Sequence, residues 1–327
     1  MHSDSIVHTF YRGGPVNRPD PPRPTAPPVQ WLSTAMLAAA CASACAMAYQ
    51  RAAPHAAEPQ RWTPPGIASD QYESSPTFTP DGGEIYFMRS DTRFANWRIL
   101  HSRCQTGAWS KPEPPSFAAS RAGLDADPFV TADGRRLYFV SARHDPKGED
   151  LDIYYVQRSA DGAWGEPQRL PEPVNSPAAE LLPRLSADGR LYFGSSRAGG
   201  HGQGDLYAAT PNADGRWSVR NLGKPLSSAA NEYEADIARD GRGLIAVIDR
   251  GDRSHLYRFE RRGQQWRERG RIAARADVFQ VGPLLSPRGD RLLFAQADGE
   301  RSGELFLIDL VAEPDRSWPP SCGPAAT

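Results

Sequence analysis

Short apolar runs recur along the chain between clusters of Gly, Asp, Ser and Pro. The clearest are Ile85-Tyr86-Phe87, Leu137-Tyr138-Phe139-Val140 and Leu191-Tyr192-Phe193. Each follows a turn phrase, at Asp81-Gly82, Asp133-Gly134 and Asp188-Gly189, and weaker copies surround Gly241 and Gly289. A continuous apolar run bounded by turn signals predicts a strand buried on both faces. Asp-Gly predicts a hairpin, because Gly supplies the positive φ that such turns need. The five turn glycines are spaced 52, 55, 52 and 48 residues apart. A tryptophan repeats out of phase with them, at Trp109, Trp164, Trp217, Trp266 and Trp318, and Trp62 precedes the series.

Each unit reads as four strands. The first runs into the turn, as in Pro128-Phe129-Val130-Thr131, and the second is the apolar run. The third is Ile153-Tyr154-Tyr155-Val156 or Leu206-Tyr207-Ala208-Ala209, and the fourth carries Trp and ends at Pro, as in Trp164-Gly165-Glu166-Pro167. Pro is tolerated on an outer strand, which leaves some N–H groups unpaired. A unit of this size cannot bury its own faces and must stack on copies of itself. Four strands in about 50 residues is the size of a propeller blade. The expected fold is all-β, a β-propeller over residues 62–318 with five four-stranded blades, a six-bladed count being the alternative, and a tail at 319–327. Ring closure has two registers. Either the Trp62 segment pairs onto the last blade, leaving the Trp318 tail over the surface, or Trp318 completes that blade.

These phrases resemble the WD40-like, TolB-type β-propeller repeat. The third unit carries the pattern nearly throughout, with Asn175-Ser176, Glu180, Pro183, Asp188-Gly189, Leu191-Tyr192-Phe193, Ser195-Ser196-Arg197 and Asp205-Leu206-Tyr207. The second carries Pro128, Ser141-Ala142-Arg143 and Asp152-Ile153-Tyr154. The later units depart from it, with Ala235 for Pro, Ala246 for Phe and His255 for Asp. The resemblance implies a propeller fold. Such repeats occur in periplasmic envelope proteins, in cell-wall-associated modules and in domains appended to enzymes, so fold alone names no activity.

Ahead of the repeats, residues 1–30 are polar and rich in Pro and Arg, and residues 31–49 form a long uncharged run. That run reads as a signal peptide, with Ala46-Met47-Ala48 matching a cleavage site, or as a membrane anchor, since about 20 apolar residues span a bilayer. Cys45, preceded by Ala42-Ser43-Ala44, is a candidate lipidation site. Residues 50–61 read as a linker. The expected location is therefore outside the cytoplasm, periplasmic or anchored facing the periplasm, with membrane contact only through the N-terminal segment. With 38 Lys and Arg against 39 Asp and Glu, a formal net charge of −1 disfavours a nucleic-acid partner.

Candidate chemistry sits at recurring charges. Glu73, Asp125, Glu180, Glu232 and Gln280 open the first strand of the five units and would ring the channel mouth, either as a site for a cation or basic group or as internal hydrogen-bond acceptors. Hairpin adjacency of strands two and three predicts structural pairs Asp91–Arg98, Arg143–Asp152 and Arg197–Asp205. Cys104 and Cys322 lie at opposite ends of the repeats, which a closed ring makes neighbours, and are a candidate disulfide. His144, His201 and His255 lack metal-ligand spacing, and Gly194-Ser195-Ser196-Arg197-Ala198 lacks the second Gly of a nucleophile elbow. No catalytic set and no cofactor are expected. The leading expectation is an exported, monomeric, non-enzymatic propeller that binds a protein or envelope component. The alternatives are a carbohydrate-active hydrolase or lyase using the channel-mouth acids, and a purely structural module of an envelope complex.

Overall fold

The computed structural model describes residues 58–120, 125–145, 147, 150–298 and 301–323. The expected N-region, the 31–49 segment with Cys41 and Cys45, and residues 50–57 of the linker lie outside the described residues. Strand β1 is Gln60–Arg61. The first antiparallel unit follows as β2 (Tyr72–Phe78), β3 (Glu84–Ser90), β4 (Arg98–Gln105) and β5 (Ala108–Trp109). Then come β6 (Asp125–Val130), β7 (Arg136–Ser141), β8 (Asp152–Gln157) and β9 (Gln168–Arg169). The third unit is β10 (Glu180–Leu185), β11 (Leu191–Ser195), β12 (Asp205–Pro211) and β13 (Trp217–Asn221). The fourth is β14 (Asn231–Ile237), β15 (Gly243–Asp249), β16 (Ser254–Arg262) and β17 (Gln265–Arg271). The last has β18 (Gln280–Leu285), β19 (Arg291–Asp298) and β20 (Arg301–Asp309). Among the described residues there is no α-helix, and none therefore long and apolar enough to cross a membrane.

The last unit takes its fourth strand from the other end of the domain. Gln60 pairs with Leu307 and Arg61 with Phe306, and the amides of Trp62 and Thr63 both donate to the Leu305 carbonyl. One parallel pair, Tyr72 with Gly303, joins β20 to the first unit, so these two units count as a single eight-stranded sheet beside three four-stranded ones. The Trp62 register is thus the one formed. Trp318 does not lie loosely over the surface as expected. It is buried, packed among Phe78, Leu284 and Leu293, because a large apolar ring fills the gap where the first and last units meet.

The turn phrase explains itself locally. In Thr79-Pro80-Asp81-Gly82, the Thr79 hydroxyl donates to Asp81 at 2.6 Å, and Asp81 accepts the Gly83 amide at 3.0 Å. Thr131 with Asp133 and Ser186 with Asp188 repeat this arrangement. Gly82 and Gly134 sit at φ of 70° and 68°, the left-handed region that Gly enters without steric cost. The second strands that follow are buried on both faces, as the adjacent residues Ile85 and Tyr86, Leu137 and Tyr138, and Leu191 and Tyr192 show. Each such side chain contributes about 1.5–3 kcal/mol on burial.

Innermost strands carry a bulge where proline stands. Pro76, Pro128, Pro183 and Pro283 have no N–H for the ladder, and the register slips between Ser74 and Thr77, Ala126 and Phe129, Leu181 and Arg184, and Val281 and Leu284. The fourth unit departs from this for a visible reason. Ala235 keeps its amide and pairs with Ala246, and the slip moves one step earlier, between Glu232 and Glu234. Contacts between units run through these bulged strands. Asp127 accepts the Ser75 hydroxyl at 2.8 Å and the Leu182 amide at 3.1 Å, and Glu234 accepts the Gly282 amide at 2.7 Å.

Gly194 marks the tightest approach of the third and fourth units, since a Cβ there would stand 1.9 Å from the Tyr233 carbonyl oxygen. Gly194→Ala is expected to lose on the order of 3 kcal/mol of stability in urea unfolding. Gly165→Ala, in the exposed segment between β8 and β9 with its nearest atom at 3.4 Å, is expected to stay within about 0.5 kcal/mol of wild type. Equal midpoints for the two variants would contradict this packing.

Candidate functional site

The five residues at the start of the innermost strands are all buried, and the four acids are engaged within their own units. Arg89 Nε donates to Glu73 Oε1 at 2.8 Å, and the Ser69 hydroxyl makes a further short bond to the same oxygen. Arg143 Nη2 lies 2.9 and 3.0 Å from the two oxygens of Asp125. Arg197 Nη2 lies 2.9 Å from Glu180, which also accepts from Ser176 and Ser195. Glu232 accepts the Ser228 amide and hydroxyl, and Gln280 meets His255 Nδ1 at 2.7 Å. The four acids form internal acceptors within their own units, while Gln280 reaches His255 of the fourth unit and donates to the Arg275 and Val278 carbonyls. Burial pushes the Glu180 carboxyl up to about 7, and raises Glu73 and Glu232 for the same reason.

The expected pairs between strands two and three require correction. Arg143 pairs with Asp125 and not Asp152, and Arg197 with Glu180 and not Asp205. Asp91 caps its own turn through the amides of Arg93 and Ala95 and the Asn96 side chain, and Arg98 is exposed. Register is the cause. Ser141 stands opposite Asp125 and Ser195 opposite Glu180, so an Arg two residues past that Ser swings back over the innermost strand. Each serine hydroxyl bonds both its carboxylate and its Arg. Asp205 instead accepts the loop amides of His201 and Gly202. Asp152 receives Arg169 at 2.5 Å and His144 Nε2 at 2.7 Å, and Asp150 lies close enough that the three could chelate a cation. Arg169 already supplies the positive charge that a metal would bring there.

Cys104 on β4 and Cys322 are joined in a disulfide, with Cα atoms 5.3 Å apart.

The opposite end of the axis, at the turns, holds a cavity of about 710 Å³ to which all five innermost strands contribute. The residues five before each turn glycine are Thr77, Phe129, Arg184, Asp236 and Leu284. Four of them line the cavity, and the fifth, Arg184, is fully buried beside it. Arg184 Nε is 3.7 Å from Asp236, its Nη1 donates to the Pro183 carbonyl, and its guanidinium lies 5.3 Å from the Phe129 ring centroid. Asp236 accepts the amides of Ile237 and Leu285 at 2.9 and 2.6 Å. Burial pushes Asp236 up to about 6 against the pull of Arg184, and pushes Asp127 up as well. The wall is apolar at Phe129, Leu285, Ile237 and Trp318. At the rim stand Arg135, Arg136 and Arg239, all exposed; among the described residues none makes a close salt bridge, while Asp133 stands near Arg135 and Arg136, and Arg136 lies over the Tyr155 ring. The acid ring drew attention away from this end. The available signal was the aligned position five before the glycine, where the five copies carry five different side chains.

No family model matches the chain, and no curated protein matches it. Among solved structures, the putative TolB of Agrobacterium tumefaciens is 18% identical, with a TM-score of 0.49, covering 74% of this chain and 78% of its own. TolB of Acinetobacter baumannii is 18% identical with a TM-score of 0.47, over 75% of this chain and 56% of its own. The periplasmic gluconolactonase of Pseudomonas aeruginosa is 17% identical with a TM-score of 0.42, over 71% and 70%. The likeness is one of propeller fold.

A carboxyl that keeps its proton more strongly when folded stabilises the native state below its unfolded pKa, and that stability is lost as pH rises through the folded pKa. For Glu180 this window runs from 4.5 to about 7. Wild type is expected to lose on the order of 3 kcal/mol relative to Glu180→Gln between pH 4.5 and 7.5, read from urea unfolding at several pH values. A difference that stays flat or grows in favour of wild type would refute the buried, proton-holding carboxyl.

Proposed function

We propose that this chain is an exported, five-bladed β-propeller that acts as a scaffold, receiving an acidic segment of a protein partner in the cavity at the turn end of its axis. The observation that carries the reading is the make-up of that cavity. An apolar wall is topped by three exposed guanidinium groups against a single exposed carboxylate, Asp133. Rim charges of one sign attract a segment of the other sign and speed encounter. A peptide is favoured over a saccharide because the cavity hydroxyls are already engaged. Thr79, Thr131, Ser186 and Ser286 are each bonded to the carboxylate of their own turn.

The five-blade count draws support from the pairing of β1 with β20, which gives the last unit its fourth strand. Export draws support from the uncharged run at 31–49 and from the disulfide, since such bonds persist in oxidising compartments. A hydrolase reading would need two carboxylates facing each other across the pocket. The two acids of the cavity are otherwise employed, Asp133 by Thr131 and Asp236 by backbone amides.

Ala132 and Ala187 are exposed at the cavity rim, so bulk can be added there without disturbing the core. A photo-crosslinking residue at position 187 is expected to capture a protein from envelope extract. Capture should fall about tenfold in Ala132→Trp and in the Arg136→Glu, Arg239→Glu double variant, a change of about 1.4 kcal/mol in affinity. Capture indifferent to both variants would overturn the proposal, as would turnover of glycosides or lactones that Asp236→Asn abolishes.

A further inference from the structure

The chain ends in a strap that crosses from the last unit to the first. At its near end the Asp315 amide bonds Asp290, the Trp318 ring lies among Leu284, Leu293 and Phe78, and the Trp318 carbonyl accepts from Arg291. At its far end Cys322 is bonded to Cys104 on β4. Between them Pro320 presses on the first unit's turn, where a Cβ on Gly82 would stand 2.8 Å from the proline ring. On one side, Trp318 and Pro320 form part of the wall of the axial cavity. On the other side lies a second hollow of about 280 Å³, bounded by Asp81, Arg288 and Asp290. Beyond Trp318 the strap borders a hollow at Pro320 and, among the described residues, is held to the first unit by the contact of Pro320 with Gly82, by Gly323 beside Gly107 and by the covalent bond at Cys322. Both cysteines are half-buried.

We propose that the Cys104–Cys322 disulfide is a redox latch on the wall of the axial cavity. A dithiol reductant delivers two electrons and two protons. The sulfur–sulfur bond breaks, Cys104 and Cys322 each become a thiol, and the reductant leaves as its own disulfide. The segment 319–322 then lifts from Gly82, and the cavity loses the Pro320 side of its wall. Trp318 stays seated through its ring and through Arg291, and the ring of strands stays closed through β1 on β20. A disulfide oxidant that accepts the same electrons and protons restores the latch. The effect on a partner rests on the binding role proposed above for the cavity, whereas the latch itself concerns the strap alone.

The test compares the oxidised full chain, the dithiothreitol-reduced chain and Cys104→Ser, Cys322→Ser by hydrogen exchange and by binding of anilinonaphthalene sulfonate. This apolar anion suits a wall of Phe129 and Leu285 under a rim of arginines. Amide exchange at the first unit's turn, where the Gly82 amide donates to the Thr79 carbonyl beneath Pro320, is expected to rise about tenfold in both altered forms while β10 and β14 keep their protection. Dye affinity is expected to fall several-fold. Equal exchange in all three forms overturns the latch, and so does raised exchange with unchanged dye affinity. Raised exchange with a dye that binds none of the forms supports the latch and sinks the binding role of the cavity.

Discussion

A four-stranded sheet that is apolar on both faces has no stable life alone, and this chain meets that constraint by making its last unit borrow a strand from the segment just ahead of the first unit. The borrowed strand is short. Gln60 and Arg61 supply the ladder, and Trp62 and Thr63 extend it with amides on the Leu305 carbonyl. Everything that depends on neighbouring units being present depends on this pairing, from the buried aromatic second strands to the cavity at the axis. The parallel contact of Tyr72 with Gly303 is sterically exacting, because a Cβ on Gly303 would lie 2.4 Å from the Tyr72 ring.

Charge follows the same logic of enclosure. The axis buries Arg184 among Asp127, Glu234 and Asp236, and burial lowers the pKa of the arginine while raising those of Asp127 and Asp236. Desolvation is the largest influence on each, so the arrangement is weak evidence for stability. Its effect is geometric. Arg184 reaches from the third unit to the Pro283 carbonyl of the last at 3.5 Å and to Asp236 of the fourth, tying three units together at one point.

Much of the fold is legible in the residues. Thr-Pro-Asp-Gly-Gly and its copies carry their own capping bonds, which is why the hairpins could be placed from sequence. The Trp62 segment was one of two readable closures, and pairing with β20 selects it. Arg143 and Arg197 were less legible, because hairpin adjacency is compatible with a partner on either neighbouring strand. The register that sets Ser141 against Asp125 decides the matter, and register is fixed by the bulge at Pro128 several residues away. The cavity was hidden for a related reason. Phe129, Arg184 and Asp236 converge only once the bulges have turned their strands, and no local pattern records a convergence across 107 positions of chain.

The disulfide has a topological side as well. Its two cysteines are 218 positions apart, so the second, third and fourth units and most of the last lie inside a single covalent loop. A protease that cuts any exposed turn in that loop opens the backbone but frees no fragment. Damage to the surface loops is thereby separated from loss of the molecule. A nicked chain remains one covalent object, held in register by sheets that the cut does not touch.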